Sequence, residues 1–157
     1  MLQYNSMRLL NGQEIAGFIK ERQAAQVRAL RQAQGVFPKL AIIRTNPAPV
    51  VDSYMKIKRE YGADILIDVD VHTIAQHEAL PLIKKLNADA AVHGIIVQLP
   101  IPDPAHTAEI LDAVDPQKDV DGLHSHAVLD AATPTAIIWL LAGYNIDLRG
   151  KHILIIG

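Results

Sequence analysis

The chain of 157 residues contains no cysteine. That excludes a disulfide framework, a thiolate nucleophile and a cysteine-ligated metal, and it fits a reducing compartment, with the cytoplasm as the expected location. No apolar run approaches the ~18 residues of a membrane span, and Met1 to Leu10 carries polar residues where a secretory signal would be apolar. Neither sign of charge dominates. The net charge is −2, and basic runs such as Lys56 to Arg59 are broken by apolar residues, so neither nucleic acid nor an acidic membrane is expected as a partner. Repeats, low-complexity tracts and long linkers are also missing, as is a glycine-rich loop able to cradle phosphates. What remains is the composition of a soluble globular domain, 50% hydrophobic and 20% charged, long enough for a sizeable core.

The order of segments sets the expected fold class. Gly12 to Gln34 has helical periodicity, with Ile15, Phe18, Ile19, Val27 and Leu30 partly on one face, and it ends at Gly35 and Pro38. Leu40 to Arg44 (LAIIR) reads as a buried strand. After a loop containing Asn46, Pro47 and Pro49 comes a helix, Val50 to Gly62, then a β-branched strand, Ile65 to Val71. His77 to Asn87 is expected to be helical, Val92 to Leu99 a third strand, Thr107 to Val114 and Pro134 to Tyr144 helices, and His152 to Ile156 a last strand. Strands separated by helices predict a three-layer α/β/α domain with a mainly parallel sheet, whose functional groups lie at the carboxyl ends of strands. Gln98 sits at such an end.

One lysine breaks the polar pattern. At roughly 100° per residue, Lys58 shares an arc with Val50, Val51, Tyr54, Met55 and Tyr61, opposite Asp52, Ser53, Lys56, Arg59 and Glu60. An amine directed inward needs polar partners. Gln98 in HGIIVQLP and the aspartates of KDVDG, Asp119 and Asp121, are the candidates. A lone lysine of this kind usually extends its ammonium to water, and aspartates ahead of Gly122 ordinarily stabilise a turn through local backbone, which is the reading kept for Asp119. The seven histidines include His124 and His126, two apart, but no third ligand is spaced to complete a site with them, and no metal is assigned.

SYMKIK (Ser53 to Lys58), VHGIIVQLPIP (Val92 to Pro102), PQKDVDGLH (Pro116 to His124) and the tail TPTAIIWLLAGYNIDLRGKHILIIG occur together in one order, with LLNGQEIA near the start. In this the chain resembles the bifunctional methylenetetrahydrofolate dehydrogenase/methenyltetrahydrofolate cyclohydrolase family. The resemblance covers essentially the whole chain but about half of a family member. It implies a folate-binding catalytic domain over residues 1–133, with residues 134–157 forming a connecting helix and the first strand of a Rossmann-type nucleotide-binding domain. By the same resemblance Lys58 is the central catalytic group, Gln98 orients it, Asp121 binds the polar edge of the pterin, and Tyr54 packs on the ring. The backbone of Val97, Gln98 and Leu99, with Pro100, forms part of the cleft wall. The implied substrates are tetrahydrofolate derivatives of one-carbon metabolism, including purine biosynthesis. The implied cofactor is NADP in a full-length member, with none bound by this chain alone, and a full-length form is expected to pair as a homodimer.

These roles suit the chemistry of the residues. A pterin is flat and polar-edged, so an aromatic face can stack on it while a carboxylate accepts from its amino and ring N–H groups. Hydrolysis of a methenyl bridge needs water to attack carbon and protons to move, which an amine of lowered pKa can serve near neutrality. Departures from the family pattern cluster in two places. The loop from Thr45 to Val51 is longer than usual, while the stretch from His124 to Thr133 is shorter. In addition, Ala131-Ala132-Thr133-Pro134-Thr135-Ala136 replaces the usual Pro-Cys-Thr-Pro and its following glycine. A non-catalytic remnant or interaction module of the same fold is the alternative reading. An unrelated α/β enzyme binding phosphate at the strand ends ranks third.

Overall fold

The computed structural model describes residues 8–156; most of the polar amino-terminal stretch, and Gly157, lie outside them. The first helix, α1 (Gly12–Gln34), starts where the Asn11 side chain accepts from the Gln13 amide and ends where Gly35, at φ 65°, donates back to the Arg31 carbonyl. Of its expected apolar face only Val27 is buried, together with Ala24; Phe18 is exposed.

Strand β1 (Lys39–Arg44), helix α2 (Pro49–Asp64) and strand β2 (Asp68–Thr73) follow. After these come α3 (Ala79–Ala88), β3 (Gly94–Gln98), α4 (Thr107–Asp112) and α5 (Ala132–Gly143). The sheet is fully parallel in the order β2-β1-β3. The central strand pairs Arg44 with Thr73 on one side and with Gln98 on the other. Period-two alternation then sorts the side chains onto two faces. Ala41, Ile43, Ile95 and Val97 pack with Ile83, Leu86 and Ile110 of α3 and α4. Ile42 and Ile96 pack with Val51 and Met55 of α2. Helix α1 lies beyond α2, tied to it by Tyr61 donating to Gln23 at 2.7 Å, by Arg31 donating to the Leu66 carbonyl at 2.6 Å, and by the Lys20–Asp64 ion pair. This is the expected α/β/α layering.

Two strands differ from expectation. The second begins at Asp68 rather than Ile65, because the amides of Ile65, Leu66 and Ile67 turn back onto the Tyr61, Ala63 and Gly62 carbonyls, with Leu66 at φ 65°. Closing the helix end outweighs β-branched propensity there. The last strand, His152 to Ile156, does not form among the described residues: these positions are exposed and have no ladder. Apolar β-branched sequence becomes a strand only where a partner accepts its hydrogen bonds.

Candidate functional site

Helix α2 positions Lys58. Val51, Met55, Lys58 and Gly62 recur at i, i+4, i+7 and i+11, one stripe of a 3.6-residue helix. Val51, Met55 and Gly62 are buried. The helix lies so close to β2 that a Cβ on Gly62 would fall 2.3 Å from Val69 Cγ2. Lys58 thus continues a buried stripe and is itself half-buried. The rest of the expected arc is more open: Val50 is exposed, and Tyr54 is 51% exposed.

Gln98 alternates with Ile96 along β3 and so shares the α2 side of the sheet. Its amide accepts from Lys58 Nζ at 2.9 Å through Oε1 and donates through Nε2 to the Leu99 carbonyl at 2.8 Å. Only this amide orientation satisfies both neighbours, since an ammonium cannot accept and a carbonyl cannot donate. Burial pushes the Lys58 amine below its ordinary pKa, and the negative charge of Asp121 pulls it partly back. Gln98 holds the amine without adding a charge that would cancel the burial effect. Val97 faces the opposite core, so only its backbone is available on this side. Leu99 is half-buried, and the following peptide, to Pro100, is cis.

The segment carrying Asp121 is docked on the free edge of β3, where the Ile95 amide donates to the Lys118 carbonyl at 2.7 Å. Each polar residue of KDVDG has a separate task. Lys118 Nζ donates to the carbonyls of Leu86, Asn87 and Asp89, closing the end of α3. Asp119, 5% exposed, accepts from the backbone amides of Asp121, Gly122, Leu123 and His124. Gly122 turns the chain at φ 67°, and a Cβ there would lie 2.7 Å from both Ala131 N and the Leu129 oxygen. Among the described residues the Asp121 carboxylate has no hydrogen-bond donor of its own and remains available to a ligand.

Lys58 and Gln98 therefore meet on the α2 side of the sheet, Asp121 lies near enough for its charge to act on the amine, and Tyr54 is one turn before Lys58 on the same helix. Each of the three catalytic candidates is half-buried, and Tyr54 is exposed. Two hollows, of about 420 and 610 Å³, lie elsewhere, the first around Gln76, Asp103 and His106, the second between α1 and α5. Sequence periodicity gave no sign of the Lys118 contacts, because their partners lie on another element. His124 Nδ1 accepts from the His126 amide at 2.7 Å, so one of that pair is engaged locally.

Residues 10–121 match the family described as tetrahydrofolate dehydrogenase/cyclohydrolase, catalytic domain. The bifunctional protein FolD of Streptococcus pyogenes is 34% identical over 95% of this chain and 57% of its own length. Among solved structures, the bifunctional FolD methylenetetrahydrofolate dehydrogenase/cyclohydrolase of Campylobacter jejuni superimposes with a TM-score of 0.86 at 34% identity, covering 93% of this chain and 56% of the other. The Trypanosoma brucei methylenetetrahydrofolate dehydrogenase-cyclohydrolase, complexed with NADP cofactor and inhibitor, shares the fold at 22% identity and a TM-score of 0.84, over 92% of this chain and 54% of that one. The chain thus spans little more than half the length of the relatives it matches.

Proposed function

Because this chain belongs to the tetrahydrofolate dehydrogenase/cyclohydrolase family, we propose that it forms the folate-binding, catalytic part of an enzyme interconverting 5,10-methylene-, 5,10-methenyl- and 10-formyltetrahydrofolate. The observation that carries this reading is the Lys58 amine held 2.9 Å from the Gln98 amide oxygen, with Asp121 near enough to act on its charge.

In the hydrolytic step, neutral Lys58 takes a proton from water as the water oxygen bonds to the methenyl carbon. The ammonium so formed returns a proton to N5 as the carbon–N5 bond breaks. Loss of the hydroxyl proton then leaves the 10-formyl group. Burial lowers the pKa of the amine and so raises the share of neutral amine at a given pH, with Asp121 opposing. Asp121 accepts from the pterin amino and ring N–H groups, the exposed Tyr54 ring stacks on the pterin face, and the backbone from Val97 to Leu99, with Pro100, borders the cleft.

Dehydrogenation needs a nicotinamide, NADP in this reading, but the described residues do not fit a dinucleotide. The start of α1 has the single Gly12 after Asn11 and that of α2 has Pro49, where a dinucleotide site needs a turn with repeated glycines. Residues 134–157 lead, in this proposal, into the nucleotide-binding half of a longer cytoplasmic enzyme that pairs as a homodimer. That enzyme binds no nucleic acid and supplies formyl donors to pathways such as purine biosynthesis. No helix among the described residues is long and apolar enough to cross a membrane.

The test is binding of tetrahydrofolate to the chain, together with hydrolysis of 5,10-methenyltetrahydrofolate by the protein and by Lys58→Met. The variant is expected to keep its helical circular dichroism and lose hydrolysis by at least about 100-fold. Full turnover in Lys58→Met removes the assigned mechanism. A wild-type chain that binds no folate favours the non-catalytic alternative.

A further inference from the structure

Building on the folate reading above, we infer that Asp119 is a positioning residue: its buried carboxylate fixes the turn that places Asp121 in front of Lys58. A buried carboxylate is costly unless compensated, and cations normally compensate it. Among the described residues Asp119 has no ion-pair partner, and the adjacent Lys118 ammonium is occupied by the carbonyls at the end of α3. Compensation comes instead from consecutive amides. Oδ1 accepts from Asp121 N at 3.2 Å and Gly122 N at 3.1 Å, while Oδ2 accepts from Leu123 N and His124 N, each at 2.8 Å. Such a ring of amides around an anion is a nest, here filled by the chain's own side chain.

The consequence falls on the residue inside the ring. The Asp121 amide is tied to Asp119, the next residue is held at φ 67° against the backbone of residues 129–131, and the preceding segment is fastened to β3 through Ile95. That same strand ends in Gln98, the partner of Lys58. The Asp121 side chain is therefore free while its backbone is immobilised from both sides and referenced to the strand that holds the lysine. A residue serving only stability would need to hold the loop down, but not at any particular distance from Lys58.

The distinction is measurable without folate. The Lys58 side chain is titrated by NMR, with Lys58→Met identifying its signal, in the wild type, Asp119→Asn, Asp121→Asn and the double variant. Asp121→Asn is expected to lower the Lys58 midpoint by removing the carboxylate that raises it. Asp119→Asn, which gives up one acceptor oxygen and the charge, should lower it in the same direction. The double variant should fall no further than Asp121→Asn alone. A folded Asp119→Asn with the wild-type midpoint overturns the inference, and so does a double variant in which the two shifts add, since Asp119 would then act directly through its charge. If Asp119→Asn does not fold, Asp119→Glu replaces it: the charge and both oxygens remain but are displaced by one methylene, and an unchanged Lys58 midpoint overturns the inference. Tetrahydrofolate affinity is measured in parallel, with about a tenfold loss expected in the Asp119 variant. Failure of the wild type to bind tetrahydrofolate counts against the folate reading, whereas loss of the Asp119 effect on Lys58 counts against the positioning role.

Discussion

A single amine on the buried stripe of α2 gives this site its chemical character, and its burial should carry a cost that solution experiments can measure. Burial lowers the Lys58 pKa in the folded chain, with Asp121 opposing. Between that lowered value and the unfolded value of 10.5, the unfolded state binds more protons than the native state, so stability contributed at this position rises with pH across the window. Below it the penalty of burying the ammonium is fully present. Lys58→Met lacks this dependence. Urea unfolding at successive pH values should therefore show the variant's stability relative to wild type to be most favourable near neutrality, declining as pH approaches 10.5. A constant difference would mean that Lys58 is solvated. Its placement was legible from sequence because helical periodicity needs nothing beyond neighbours within a few turns. The Gln98 contact was suggested by the inward amine's need for a polar partner and by the family resemblance, and the fourfold use of Asp119 by nothing more specific than an aspartate before glycine.

At the scale of elements, Lys58 depends on how closely α2 approaches β2. Gly62 permits that approach, since a Cβ there would meet Val69 Cγ2 at 2.3 Å and the Ile67 carbonyl at 3.0 Å. Gly62→Ala should cost about 1–3 kcal/mol through overpacking, despite alanine's better helix propensity of about 1 kcal/mol. Chemical denaturation checks the sign, and a more stable variant would show that the helix has room to move. The same junction explains why the second strand starts late: three consecutive amides serve the helix end before the chain can enter the sheet. Composition of the segment Ile65 to Ile67 favours a strand, but hydrogen-bond closure of the preceding helix takes precedence. The expected strand at 152–156 failed for the complementary reason, having no described neighbour to pair with.

Across the whole molecule the sheet separates two cores with different relations to the site. Ile42 is fully buried with Val51 and Met55 beneath α2, and Ile83 is fully buried on the opposite face with α4. Ile42→Ala and Ile83→Ala should each cost about 2–5 kcal/mol, yet only the first should move the Lys58 titration, because only it loosens the packing under the lysine's helix. Equal effects on that titration would mean that the faces are not mechanically separate. The parallel α/β class, the helix carrying Lys58, the strand ending in Gln98 and the family itself were determined by sequence, since periodicity, turn residues and joined motifs are properties of neighbouring positions. Tertiary structure decided the meeting of Lys58 with Gln98, the docking of KDVDG on β3, the task of each of its polar residues and the true start of β2. Those outcomes depend on which distant groups compete for the same hydrogen bonds and the same buried space, and chain order alone does not specify that competition.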